Sequence, residues 1–161
     1  MKRQTRTDAG FILITSIIFM LVLTVVVVYA VRSATVYERV AGNNRNRSMA
    51  VQSAEFGLRE SQAKLLSELY VAGKVANPVS RNLSADAYAA FNDPDHWTNS
   101  NSIEVTGDIT GTYSKPRYVV RNENVAAAEE GCNYYGVKSL GRGGNSNSVV
   151  VLDAVVKRCM R

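Results

Sequence analysis

Hydrophobic and polar positions alternate on three different periods along the chain. From Phe11 to Val31 (FILITSIIFMLVLTVVVVYAV) there is no charge at all. As a helix this run would be about 31 Å long, close to the hydrocarbon thickness of a bilayer. Its few polar groups, Thr15, Ser16, Thr24 and the Tyr29 hydroxyl, are of a kind that helices in lipid tolerate, because hydroxyls bond back to preceding carbonyls. Lys2, Arg3 and Arg6 against a single Asp8 would hold the start on the cytoplasmic side and send the rest across the membrane. A buried core helix is the alternative, but such helices rarely run this long without a charge.

The period then changes. No proline occurs before Pro78, and helix formers dominate Arg45 to Leu69. Val51, Ala54, Leu58, Leu65 and Leu69 recur at helical spacing and predict one apolar face. Arg47, Glu55, Arg59, Glu60 and Lys64 fall mostly off it, and Glu55–Arg59 and Glu60–Lys64 have the favourable i,i+4 order of a solvated helix face. Gly42-Asn43-Asn44 is the weak point, where the helix could stop or kink.

From Val71 to Asn101 the pattern is lost among prolines, asparagines and aspartates, predicting a loop-rich connector with a short helix near Ala85–Phe91. Strands are expected at Ser102–Ile109, Arg117–Asn122, Tyr134–Leu140 and Ser148–Lys157. In the last, Val150, Leu152, Ala154 and Val156 would share one face and Asp153 would point to solvent. GRGGNSN between the last two strands reads as a flexible hairpin loop rich in positive-φ residues.

Composition sharpens this outline. The chain has 161 residues, 46% apolar and 20% charged, with a formal charge of +5, two cysteines and one histidine, and a mean hydropathy of −0.10. These figures exclude a disordered charged tail, a multi-pass membrane protein and a metal cluster. His96 stands alone in a proline-bearing loop, without the partners that catalysis or a metal would need. GRGGN lies between strands rather than before a helix, so it lacks the N-terminus that holds phosphate. Asp86, Asp93 and Asp95 do not follow the spacing of a calcium loop. No catalytic residue, metal site or cofactor is expected, and the chain is not read as an enzyme. Cys132 and Cys159 flank the proposed hairpin and would lie nearly opposite each other near its open end. That placement, together with export, favours a disulfide, with two free thiols as the alternative.

Two features carry a family resemblance. Gly10 precedes Phe11 directly after a short basic leader. This resembles the signal of type IV prepilins, in which the leader is cut after glycine, the new N-terminal aromatic residue is methylated and the apolar helix is kept. The passage VRSATVYERVAGNNRNRSMAVQSAEFGLRESQAKL is similar to the N-terminal signature of PilX-type minor pilins. The matching positions include Ser33, Thr35, Glu38, Arg39, Ala41, Gly42, Asn43, Arg45, Gln52, Ala54, Glu55, Leu58 and Arg59. KPRYVV and the Gly/Asn-rich loop before VVVL also look like the closing strands of that family. One position departs from the pattern: the fifth mature residue, glutamate in most pilins, is Thr15.

The resemblance implies an α+β pilin fold, with a long N-terminal helix packed on a C-terminal antiparallel sheet. It divides the chain into a leader (1–10), a transmembrane and filament-core helix (11–31), an amphipathic continuation (32–70) and a periplasmic head (71–161). It implies cleavage between Gly10 and Phe11, N-methylation of Phe11 and a Cys132–Cys159 region often used by pilins in adhesion. The implied partners are other minor and major pilins, prepilin peptidase, the inner-membrane assembly platform and inner-membrane lipid. The implied location is the bacterial inner membrane, crossed once with a periplasmic C-terminal domain, and then the extracellular pilus. The implied role is priming of type IV pilus assembly, in support of twitching motility and adhesion. Thr15 suits a subunit at or near the tip rather than the repeated major one. A minor pseudopilin of type II secretion is a near alternative; a secreted binding module cut after Ala30, at Val28-Tyr29-Ala30, is a distant one. Without the leader the formal charge falls from +5 to +3, too small a surplus to argue for a nucleic-acid partner.

Overall fold

The structure, a computed structural model, describes residues 8–67, 83–123 and 132–159. One long helix, α1 (Asp8–Ser67), is followed by a short helix α2 (Ala85–Ala90), a 3-10 turn (Pro94–His96) and strands β1 (Ile103–Glu104), β2 (Arg117–Glu123), β3 (Cys132–Arg142) and β4 (Val149–Cys159). The strands form one antiparallel sheet in sequence order, β1-β2-β3-β4. This is the α+β arrangement expected from the sequence. The helix does not stop at Gly42-Asn43-Asn44. Residues 1–7 of the leader, and Leu69, lie outside the described residues.

The chain divides into two compact units, Met1–Gly42 and Asn43–Arg161. In the second, the sheet is covered on both faces, because its strands alternate inward positions to either side. One face carries Val105, Tyr118, Val120, Tyr135 and Val137 with Leu65 of α1, joined by Leu58, Ile103 and Val156. The opposite face carries Val119 and Leu140 under Tyr88, Phe91 and Trp97, joined by Leu83, Val149 and Val151. Phe91 and Trp97 meet edge-to-face at 5.0 Å, and the Trp97 indole N–H donates to the Phe91 carbonyl at 3.0 Å. α2 begins where the Ser84 hydroxyl accepts from the Ala87 N–H at 3.2 Å.

The helix–sheet contact differs from the apolar face expected. Ala50, Ser53, Ala54 and Ser61 are fully buried and Gly57 is buried with them, whereas Val51 and Leu58 are only partly so. Small residues at i, i+3, i+4, i+7 and i+11 let the α1 backbone lie almost on β3. A Cβ at Gly141 would meet the Ala50 carbonyl and the Ala54 nitrogen at 2.3 Å, and one at Gly143 would meet the Asn46 carbonyl at 2.2 Å. Hydropathy periodicity missed this because serine and glycine do not count as apolar.

The hairpin loop also departs from its reading. Among the described residues the positive-φ position is Gly111, at φ 87°, and no residue of GRGGNSN shares it. Gly143 and Gly144 are small because Asn46 sits against them, and the loop is held shut rather than loose. The Gly143 N–H donates to Ser148 O at 2.8 Å, the Ser148 N–H to Asn145 Oδ1 at 2.8 Å and the Arg142 guanidinium to Ser146 O at 3.0 Å.

β1 is shorter than the predicted Ser102–Ile109. After Glu104 the Val105 N–H still reaches the Pro116 carbonyl at 3.0 Å. The next residue, Thr106, gives its N–H and hydroxyl to Glu60 Oε1 at 3.1 and 2.9 Å. A side chain takes the donor that a strand would have used, so the ladder ends there. The other strand positions and the Ala85–Phe91 helix fall within two residues of expectation at most ends, β3 and β4 each running to the cysteines.

Candidate assembly interface

Every residue from Phe11 to Val31 is exposed, with Phe11 at 71%. A helix that is apolar all round cannot hold that state in water, since each uncovered side chain forgoes the gain of burial. Its length and composition suffice to cross a membrane. The hydroxyls of Thr15, Ser16 and Thr24 make no demand on water either. Thr15 Oγ1 donates to the carbonyls of Phe11 and Ile12 at 3.1 and 3.0 Å, Ser16 to Leu13 at 2.8 Å and Thr24 to Met20 at 2.5 Å. At Thr15 the polar atom is therefore satisfied inside its own helix.

Beyond Val31 the exposed helix becomes polar. Glu38, Arg39, Gly42, Asn43 and Arg45 are all exposed, and no atom lies within 4 Å of a Cβ built on Gly42. Glu55 and Arg59 pair across one turn at 3.7 Å, both largely in solvent. Leu58 differs from these, packing against the core beside Leu65. The residues singled out from the sequence thus fall into an exposed set, Glu38 to Arg45 with Glu55 and Arg59, and a packed one, Ala54 and Leu58.

Residues 9–59 match the family model described as PilX N-terminal. The N-terminal segment of the chain is thus similar to that of PilX-type pilins. The match spans the apolar helix, the exposed polar stretch and the first turns that pack on the sheet, and every motif residue named above from Ser33 to Arg59 lies within it. No curated protein and no solved structure matches the chain. The PilX-type segment thus joins a bare apolar helix to a helix end fixed on a sheet.

In the second unit Cys132 and Cys159 form a disulfide between directly opposed residues of β3 and β4. The sequence placed the two at the open end of the hairpin, and the register confirms that geometry. His96 stacks edge-on against Phe91 at 4.8 Å. Asp93 caps the 3-10 turn by accepting from the Asp95 N–H at 3.0 Å, and Asp86 lies in the first turn of α2. These side chains organise local turns. Arg117 does the same for the preceding loop, donating to Thr98 O at 3.1 Å, Ser102 Oγ at 3.2 Å, Glu104 at 2.6 Å and Asn99.

Two polar clusters were not legible in the sequence. Glu60 and Lys64 do pair, at 2.9 Å, but Glu60 is only 15% exposed, so this is not the solvated face expected. Burial opposes ionisation of Glu60; the Lys64 ammonium and the two Thr106 donors outweigh it and hold its carboxyl below the ordinary range. Burial likewise opposes the Lys64 charge, and its bond to Glu60 together with the neighbouring Tyr118 hydroxyl outweighs that and holds its pKa above the ordinary lysine value. On the opposite face Lys138 is 5% exposed, 3.5 Å from Asp153, bonded to Asn92 and 4.7 Å above the Tyr88 ring. The Tyr88 hydroxyl donates to Asp153 Oδ1 at 2.9 Å. Burial, then this bond, pushes the Tyr88 hydroxyl far above its usual range. Asp153 is exposed, as expected, but engaged.

The Glu60 pair gives a pH dependence of known sign. A carboxyl whose pKa is depressed on folding adds stability above its unfolded pKa and loses it as pH falls through the folded value. Glu60→Gln should therefore cost about 1.5–3 kcal/mol at neutral pH, the scale of hydrogen bonds to a charged group. The gap between variant and wild type should close on acidification below the ordinary glutamate range. Urea unfolding of the detergent-solubilised chain at several pH values checks it; a gap constant with pH would contradict the assignment.

Proposed function

We propose that the protein is a minor pilin of the type IV pilus, held in the inner membrane by Phe11–Val31 until that helix is drawn into a filament. The supporting observation is that the PilX-type match coincides with a helix whose apolar surface is bare on every side. Lipid covers that surface before assembly, and the helices of other pilins replace lipid afterwards. The exchange is apolar for apolar, so it carries little hydrophobic cost in either direction.

In this reading prepilin peptidase cuts between Gly10 and Phe11, Phe11 is N-methylated and the second unit lies in the periplasm. Thr15, already bonded within its helix, offers no carboxylate to a neighbouring subunit's terminal amine. That favours a subunit used in few copies, priming assembly at or near the tip, rather than one repeated along the shaft. Twitching motility and adhesion follow from the pilus as a whole, the disulfide-closed hairpin being the surface available for attachment.

Mass spectrometry of the mature N-terminus, on sheared pili and on membranes, tests the proposal. The expected species begins at N-methylated Phe11 and occurs in the sheared fraction. A mature form beginning at Val31 would replace this reading with a secreted module. A correctly processed form absent from sheared pili would point to the type II secretion relative.

A further inference from the structure

β4 is the outermost strand, and among the described residues it pairs only with β3. Its eleven residues contain no proline, one of the usual means of blunting an edge, and the charges Asp153 and Lys157 are of opposite sign. Which backbone groups face outward follows from the register. Cys132 and Cys159 are directly opposed with Cα atoms 3.9 Å apart, which marks the narrow, non-hydrogen-bonded kind of antiparallel pair. Pairs alternate, so Val151, Asp153, Val155 and Lys157 share that state and turn their N–H and C=O groups away from β3, toward the outer edge of the sheet. Val155 is 66% exposed, and its cross-strand neighbour is Gly136, which has no side chain to cover it.

We propose that β4 pairs antiparallel with β4 of a second copy about a two-fold axis at Val155, joining two sheets into one. Charge selects both the occupant and the register. With the axis at Val155, Asp153 stands opposite Lys157 of the second copy, and Lys157 opposite its Asp153, with the two exposed valines between them. All these positions are outward-facing, so they form hydrogen-bonded pairs. Moving the axis by two residues sets Asp153 against Asp153 or Lys157 against Lys157. Moving it by one sets both charges against uncharged residues. Asp153 remains about half exposed beside Tyr88 and Lys138, so its carboxylate is accessible to the incoming lysine. The inference stands on β4 and does not require the pilus reading.

Sedimentation equilibrium of the full chain in detergent tests it. Wild type should dimerise. Val155→Glu, which sets two carboxylates face to face on the axis at a position with no cross-strand side chain, should weaken the dimer about tenfold or more, given the cost of juxtaposing like charges across an interface. The fold of this variant should be intact by Trp97 fluorescence. Lys157→Asp and Asp153→Lys should each self-associate poorly, because each homodimer opposes like charges. An equimolar mixture of the two should dimerise again, because only the heterodimer restores both Asp–Lys pairs. Asp153→Lys also disturbs Lys138 and Tyr88, and if it does not fold, Val155→Glu alone decides. A monomeric wild type, or a dimer indifferent to Val155→Glu and therefore made elsewhere, overturns the proposal. A folded pair whose mixture stays monomeric overturns the register and the proposal with it.

Discussion

Gly141→Val should cost the second unit about 3 kcal/mol or more, the upper end of what overpacking a well-filled interior does, and leave it largely unfolded at physiological temperature. A Cβ at Gly141 would lie 2.3 Å from both the Ala50 carbonyl and the Ala54 nitrogen and 2.9 Å from the Ala54 Cα. These are backbone atoms of a helix, which no rotamer change moves aside. Relief requires α1 to lift from β3, and the lift would open the contacts of Ser53, Gly57 and Ser61 along the same stripe. It would also draw Glu60 from Thr106 and Leu65 from Tyr118. Gly42→Ala is the matched control: it lies in the same helix with nothing within 4 Å of the added atom, and the substitution should be neutral or stabilising by propensity. Urea unfolding of the detergent-solubilised full chain, followed by the fluorescence of the buried Trp97, measures both. A Gly141→Val midpoint close to wild type would mean that the helix does not lie on β3 as described.

How much of this could be read in advance depends on the kind of signal. The Phe11–Val31 run announces itself by length alone, and the alternation in β4 marks the face of Val150, Leu152, Ala154 and Val156 because that side of the strand is visibly apolar. The PilX-type motif was readable because its residues lie in one continuous stretch of chain. What escaped was set by pairs distant in sequence. Nothing local to Glu60 says that Thr106 will donate to it twice, and without that contact a Glu–Lys pair on a helix is most simply solvated. Lys138 lies between Gly136 and the buried Leu140 on its face of β3, and Asn92, Tyr88 and Asp153 make its burial tolerable. The small-residue stripe at Ala50, Ser53, Ala54, Gly57 and Ser61 did have a periodic signal. It was hidden because hydropathy weighs transfer from water, while at Gly141 the deciding quantity is how near two backbones can come.

The second large effect is expected at the disulfide. Cys132→Ser/Cys159→Ser should lower stability by about 3.5 kcal/mol on the chain-entropy relation for the sequence separation of 27 residues. Reduction of the wild type should reproduce the loss. The bond's position makes the effect directional. At its loop end the β3–β4 hairpin is held by Asn46 against Gly143 and Gly144 and by the α1 stripe against Gly141. At the other end the Cys132–Cys159 pair closes the ladder, and β4 has β3 on one side only. Removing the bond should therefore fray β4 inward from Cys159. Amide exchange in the full chain should then accelerate at Ala154 and Val156, whose N–H groups bond to β3, well before it does at Val150 and Leu152. Uniform acceleration along β4 would instead assign the loss to global unfolding, and no acceleration would show that pairing with β3 alone is enough to hold the strand. Fraying of Val155 and Lys157 would also disorder the proposed self-pairing edge. Reducing conditions should therefore dissociate the dimer at protein concentrations where the oxidised chain stays paired, joining the redox state of one bond to the assembly of two copies.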